Sequence, residues 1–258
     1  MGPFHTAEIA MMVIVTVQVL IIAYLQSPRA KSMVYMLPIP VSTALGTTGR
    51  GIDATHLVGM AAVWAFMWLA WLLHSRWGLH IVLADACSAI FYCLVSLACA
   101  KTIPVDSGLG SGLYWACALV LLVGSAAALL LPCPVEPGHR SSMPVALKAV
   151  LVLILIALLL SARHRLRGFM PTFPLASVFT VYEARHSLKT FAIRFPIFII
   201  GFIVMAAVIA RLLPAGADLR PAQYILPLAA GWAVFLPTYL LLDRWYARRN
   251  ARAPAQAG

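Results

Sequence analysis

Apolar residues in this chain come in long, nearly unbroken runs. They do not alternate as in a half-buried strand, and they do not recur as the single stripe of a surface helix. A hydrocarbon core of about 30 Å takes about 20 helical residues to cross. By that ruler the runs 7–26, 55–74, 79–101, 112–132, 144–162, 190–213 and 221–243 each predict a membrane helix. Two shorter runs, 33–47 (MVYMLPIPVSTALGT) and 168–182 (GFMPTFPLASVFTVY), predict short helices, and each carries two prolines. The run 7–26 is too long for a signal-peptide core and has no basic segment before it, which predicts a retained first helix. The polar tail 248–258, RRNARAPAQAG, reads as disordered.

The two short segments resemble each other in their surroundings. A serine and basic residues precede each: Ser27, Arg29 and Lys31 before the first, Ser161, Arg163 and Arg165 before the second. An acid and a histidine three apart follow each: Asp53 and His56, then Glu183 and His186. Similar landmarks at a nearly constant offset point to an internal duplication. The expected architecture is therefore an all-α polytopic membrane protein with about nine membrane helices. Two four-helix repeats, 1–106 and 144–247, are joined by a bridging helix and loop, 107–143, and followed by the tail 248–258.

Composition agrees with a membrane chain. Hydrophobic residues make up 62% and charged residues 10%, against roughly 25% charged in soluble domains. A soluble enzyme, a disordered regulator and a soluble nucleic-acid binder are excluded on that ground. The net charge of +11 is assigned to basic cytoplasmic loops and not to nucleic acid. If all nine segments cross from an outside N-terminus, ten basic residues fall inside and seven outside. If 33–47 and 168–182 dip in and return, seven crossings remain and the split is thirteen to four. The positive-inside rule prefers the second arrangement, while the shielding that a re-entrant backbone requires favours the first. Seven to nine crossings are expected, with the C-terminus cytoplasmic in either case. Inverted repeats belong to the nine-crossing arrangement, and such repeats place transport sites at their interface.

The stretch from Arg167 to His186, RGFMPTFPLASVFTVYEARH, resembles the GlpM family of small bacterial inner-membrane proteins, which have four helices and a Pro-x-Phe-Pro-type element in the second. The matching residues are Pro171, Phe173 and Pro174, with Tyr182 near the helix end. The first half shares the element only through Pro38 and Pro40 and lacks the phenylalanine. The resemblance implies an inner-membrane location and an association with exopolysaccharide production. It carries no catalytic residues.

Ionisable groups at membrane depth are candidates for function. Asp53 with His56 and Glu183 with His186 are each spaced i, i+3, which puts an acid and an imidazole on one helix face. Such a dyad suits proton relay, or it serves as a helix-start cap at the headgroup level. Asp85 lies inside the run 79–101, and Arg194 inside 190–213. The two are candidates for a buried pair between repeats. Asp243 is assigned to a helix end. Gln18, the polar residue midway along the first helix, is expected to bond across helices. The prolines free carbonyls four residues earlier, those of Val34 and Met36 in the first unit. Broken helices in matching places of two repeats are the strongest pointer to a transport path. Trp64, Trp68 and Trp71 share a face and read as packing or interfacial anchors.

Enzyme signatures are absent, and the five cysteines form no CxxC pair. No enzyme activity, cofactor, metal or nucleic acid is expected. The expected partners are the bilayer and either further copies of the chain or an envelope-biosynthesis protein. The expected function is transport of a small or lipid-linked solute, with a non-catalytic scaffold for exopolysaccharide assembly as the alternative.

Overall fold

The structure, a computed structural model, describes residues 6–48, 51–104, 107–133, 136–139, 144, 146–154, 175–213 and 221–252. The described elements are all helical. They are α1 (Thr6–Tyr24), α2 (Pro28–Tyr35), α3 (Ile39–Thr48), α4 (Ala54–Trp71) with a π-turn at Leu72–Arg76, α5 (Ile81–Thr102) and α6 (Gly112–Ala128). Then come α7 over 146–154, α8 (Leu175–Glu183), α9 (Leu188–Leu212), a 3-10 turn at Pro221–Tyr224 and α10 (Ile225–Arg252). Ala54–Arg76, Ile81–Thr102, Leu188–Leu212 and Ala222–Ala251 are long and apolar enough to cross a membrane, and Met12–Tyr24 and Gly112–Ala128 are shorter apolar helices. Pro171, Phe173 and Pro174 lie outside the described residues.

α9 is the centre of the bundle. It packs against α10, α4, α6 and α2, and its middle is buried on every side, from Phe191 through Ile199. α5 and α6 sit at the periphery, and their outward residues, among them Leu83, Ile90, Leu94, Leu119 and Val120, are exposed. Water would penalise such faces, whereas lipid tails are as apolar as the side chains themselves. α9 and α10 approach closely at two glycines. A Cβ on Gly231 would lie 2.8 Å from Ile209 Cγ1, and one on Gly201 would lie 3.0 Å from the Phe235 ring.

α4 and α9 run antiparallel. Lys189 at the start of α9 sits 5.6 Å from the ring centre of Trp71 at the end of α4. Midway along, Trp64 Nε1 donates to the Ala192 carbonyl at 2.9 Å. The helix ends separate into two groups. One end gathers α2, the π-turn, residues 129–133 and 136–139, the α8–α9 turn and the end of α10, and it carries Arg29, Lys31, Arg185 and Arg249 among its cations. At the opposite end, Ala54 N donates to the Ser107 carbonyl at 2.9 Å, joining the start of α4 to the α5–α6 connection.

Two sequence expectations change here. The run 33–47 is not one short helix. α2 begins at Pro28, capped by Ser27, whose hydroxyl accepts from Ala30 N, and ends at Tyr35, and α3 starts afresh at Ile39. The tail 248–258 is not disordered from Arg248 onward, because α10 continues to Arg252. Its last turns are held by the backbone that follows α6. Tyr246 donates to Leu131 O at 2.9 Å, Arg249 to the carbonyls of Leu129 and Leu130, and Asn250 Oδ1 accepts from Cys133 N at 2.8 Å. A helix C-terminus leaves such carbonyls without partners of its own. Residues 253–258 lie outside the described residues.

Candidate functional site

The interruption between α2 and α3 is a polar point inside an apolar bundle. Pro38 has no N–H for the Val34 carbonyl four residues earlier. Gln18 on α1 fills that place: its Nε2 donates to Val34 O at 2.9 Å and to Leu37 O at 3.4 Å. Gln18 Oε1 is buried without a hydrogen-bond partner among the described residues. Pro40 acts differently from expectation. It occupies the first turn of α3, where an N–H would have no helical partner anyway. It therefore frees no carbonyl, since α2 has already ended. From α10, Tyr239 donates its hydroxyl to Met36 Sδ at 3.8 Å, and Trp232 Nε1 donates to Ser42 Oγ at 2.9 Å.

Below the break lies a buried carboxylate held by two arginines. Phe235, Tyr239, Asp243 and Tyr246 fall at helical spacing on the buried face of α10. Asp243 Oδ1 is ion-paired with Arg194 on α9, and Oδ2 accepts from Arg29 on α2 at 2.7 Å. Asp243 and Arg194 side chains are 2% and 4% exposed, and that of Arg29 is 51% exposed. This overturns the expected Asp85–Arg194 pair. Asp243 read as a helix-end residue because the apolar run fades at 243, but the helix itself goes on for more than two further turns.

A second buried set lies beside it. Glu183 ends α8, and its Oε1 lies 2.7 Å from Lys148 Nζ on α7. Lys31, two residues from Arg29 on α2, is buried and donates to the carbonyls of His139 and Glu183 at 2.6 and 3.0 Å. The expected Glu183–His186 helical face does not form. α8 stops at Glu183 and residues 184–186 turn, so His186 swings outward and meets the His139 ring edge-on at 4.4 Å. Desolvation, followed by the Arg185 charge, holds both imidazoles below their usual range.

Asp53 and His56 do form their expected contact, as a cap. Asp53 precedes α4 and accepts from Thr55 N at 3.0 Å and from the Thr55 hydroxyl. His56 Nδ1 lies 2.9 Å from Asp53 Oδ1 and 3.2 Å from Asp53 N, closing a capping box. Asp85 is buried in α5, and its Oδ1 has no hydrogen-bond partner among the described residues.

The arrangement links the helix break to one end of the bundle through three helices. One acid shared by two cations can release either while the other still neutralises it, which suits a contact that opens and closes. Sequence reasoning missed Lys31, Lys148, Tyr239 and Asp243. The spacing of Phe235, Tyr239, Asp243 and Tyr246 was the available signal for the last two. Among the described residues, no group of three or more His, Cys, Asp or Glu side chains is gathered to hold a metal ion. No family model, curated protein or solved structure matches the chain.

Proposed function

We propose that this chain is a multi-pass permease of the bacterial inner membrane for a small or lipid-linked solute. Its path lies between two inverted repeats and is closed at the basic end by Asp243 and its two arginines. The observation that carries the reading is Asp243 itself: it ties Arg29 in the first proposed repeat to Arg194 in the second. Opening that tie frees the α2–α3 break, with Gln18 beside it, toward the basic side.

Several features support the repeats. The caps that open α4 and α9, Asp53 and Ser187, stand 134 residues apart, matching the 134 that separates Ser27 from Ser161. α4 and α9 pack together antiparallel, as corresponding helices of an inverted duplication should. One contact between the halves has its counterpart, since α8 packs on α5 while Trp232 of α10 donates to Ser42 of α3. The grouping of helix ends fits nine crossings with the N-terminus outside. The cations at the basic end favour a cytoplasmic face there by the positive-inside rule. The GlpM-like reading of the second unit is retained as part of the proposal.

The test is accessibility. A cysteine replaces Ser42 in a background without the five native cysteines, and an impermeant maleimide is applied from the basic side of inverted membrane vesicles. Arg29→Ala is expected to speed labelling, because the exposed half of the tie is lost. Equal rates with and without Arg29 would reject the gate. Equal rates together with a co-purifying envelope protein would instead favour the scaffold.

A further inference from the structure

α5 buries the wrong kind of residue for a helix between protein and lipid. Its buried side chains are Ile81, Ala84, Asp85, Ser88, Tyr92 and Ser96, so its inward face is mostly polar. Leu83, Ile90, Leu94 and Leu97 point outward. Asp85, Ser88, Tyr92 and Ser96 follow one another at i, i+3, i+7 and i+11 and share one face. They extend over about 16 Å of helix, roughly half a hydrocarbon core. Asp85 is 7% exposed. Its Oδ1 and the Ser96 hydroxyl have no hydrogen-bond partner among the described residues, and neither does Thr180 Oγ1 on α8, which packs against α5. Ser88 donates to the Ala84 carbonyl at 2.7 Å and so keeps its lone pairs free to accept. Polar atoms this deep need water or a mobile partner.

We propose that Asp85 is a proton-binding site within the membrane and that this face of α5 is a proton path. A hydronium at the basic end, where α5 begins, gives its proton to the Asp85 carboxylate. An O–H bond forms on Oδ1 and a water is left behind. The neutral acid then passes that proton to a water beside Ser88, and the carboxylate is restored. Hydroxyls both donate and accept, so Ser88, Tyr92 and Ser96 with intervening waters carry the proton onward.

The titratable and charged groups on the elements packed against α5 are engaged elsewhere or exposed. His56 closes on Asp53 at the opposite end, and His74 Nδ1 lies 2.9 Å from the Leu79 carbonyl. Arg76 is exposed, the Tyr182 ring lies under Arg185, and Glu183 pairs with Lys148. Asp85 therefore titrates against water and hydroxyls. The inference needs only that α5 lies in the membrane; it does not depend on the Asp243 gate.

The experiment uses the purified full chain in liposomes loaded with a pH-sensitive dye, with a potassium diffusion potential driving protons inward. Wild-type vesicles are expected to acidify faster than empty ones. Asp85→Asn should slow this by about a hundredfold, and Asp85→Glu should keep most of it. Dicyclohexylcarbodiimide should block the wild-type flux and attach at Asp85. The proposal is overturned if wild-type vesicles are no faster than empty ones, or if Asp85→Asn eluting and melting like wild type conducts equally. It is likewise overturned if carbodiimide blocks flux while modifying another residue. An unchanged flux in Arg29→Ala is compatible with the path and bears on the gate alone.

Discussion

Gln18 on α1 donates its side-chain amide to the carbonyl of Val34, the residue four before Pro38. The two features explain each other. A proline removes one donor from a helix, and a glutamine midway along the neighbouring helix supplies another. Gln18→Leu is expected to cost roughly 1 kcal/mol of stability, the net worth of one hydrogen bond, because Val34 O still accepts from Leu37 N at 3.3 Å. In a Pro38→Ala background the same change should cost less, because the substituted alanine can offer its own N–H. Unfolding of the four proteins of this double-mutant cycle in detergent checks the coupling, and strict additivity would refute it.

The break was legible because proline chemistry is local: a missing N–H names the carbonyl it abandons. Gln18 was legible because polar side chains in an apolar run are rare. The buried ion pairs were not, and the reason is physical. Charged residues near the ends of apolar runs read as headgroup anchors. Only the tertiary arrangement reveals that α10 extends past Asp243 and that α2 delivers Arg29 against it and Lys31 against the His139 and Glu183 carbonyls. The two acid–histidine dyads look alike in sequence, yet Asp53 precedes a helix while Glu183 ends one. Spacing alone carries no information about which side of a helix boundary a pair occupies.

Removing Asp243 should be far more damaging than removing Arg29. Asp243→Asn strands the buried Arg194 charge, and breaking one partner of a buried pair typically costs about 3–5 kcal/mol. Arg29 is half exposed, and water screens its share, so Arg29→Ala should cost about 0–1 kcal/mol. Replacing both buried members, Arg194→Met with Asp243→Leu, should recover most of the loss, because it removes the unpaired charge. Thermal unfolding of the detergent-solubilised variants checks the order. An Arg29→Ala protein as unstable as Asp243→Asn would contradict it.

The α9–α10 contact should resist any added carbon at Gly231. An alanine Cβ there would stand 2.8 and 2.9 Å from two atoms of Ile209 and 3.0 Å from Met205. Relief requires both side chains, or the helix axes, to shift, at about 1–3 kcal/mol. Gly110→Ala meets nothing within 4 Å and should change stability by less than about 0.5 kcal/mol. Melting temperatures of the two variants separate the prediction from a general intolerance of glycine replacement.

The His139–His186 contact makes stability depend on pH at the basic end. Desolvation and the Arg185 charge disfavour the protonated form of both rings in the folded chain. The folded imidazoles therefore titrate below their unfolded values, near pH 6.5 for an ordinary histidine. Between the two, the unfolded chain binds more protons, so stability rises with pH through that window. The contribution is fully present above about pH 6.5 and is lost as pH falls through the folded values. His139→Gln and His186→Gln keep a polar side chain without a titrating nitrogen. Each should flatten the fall in melting temperature between neutral and mildly acidic pH relative to wild type. A fall of the same size in the double variant would assign the dependence to other groups.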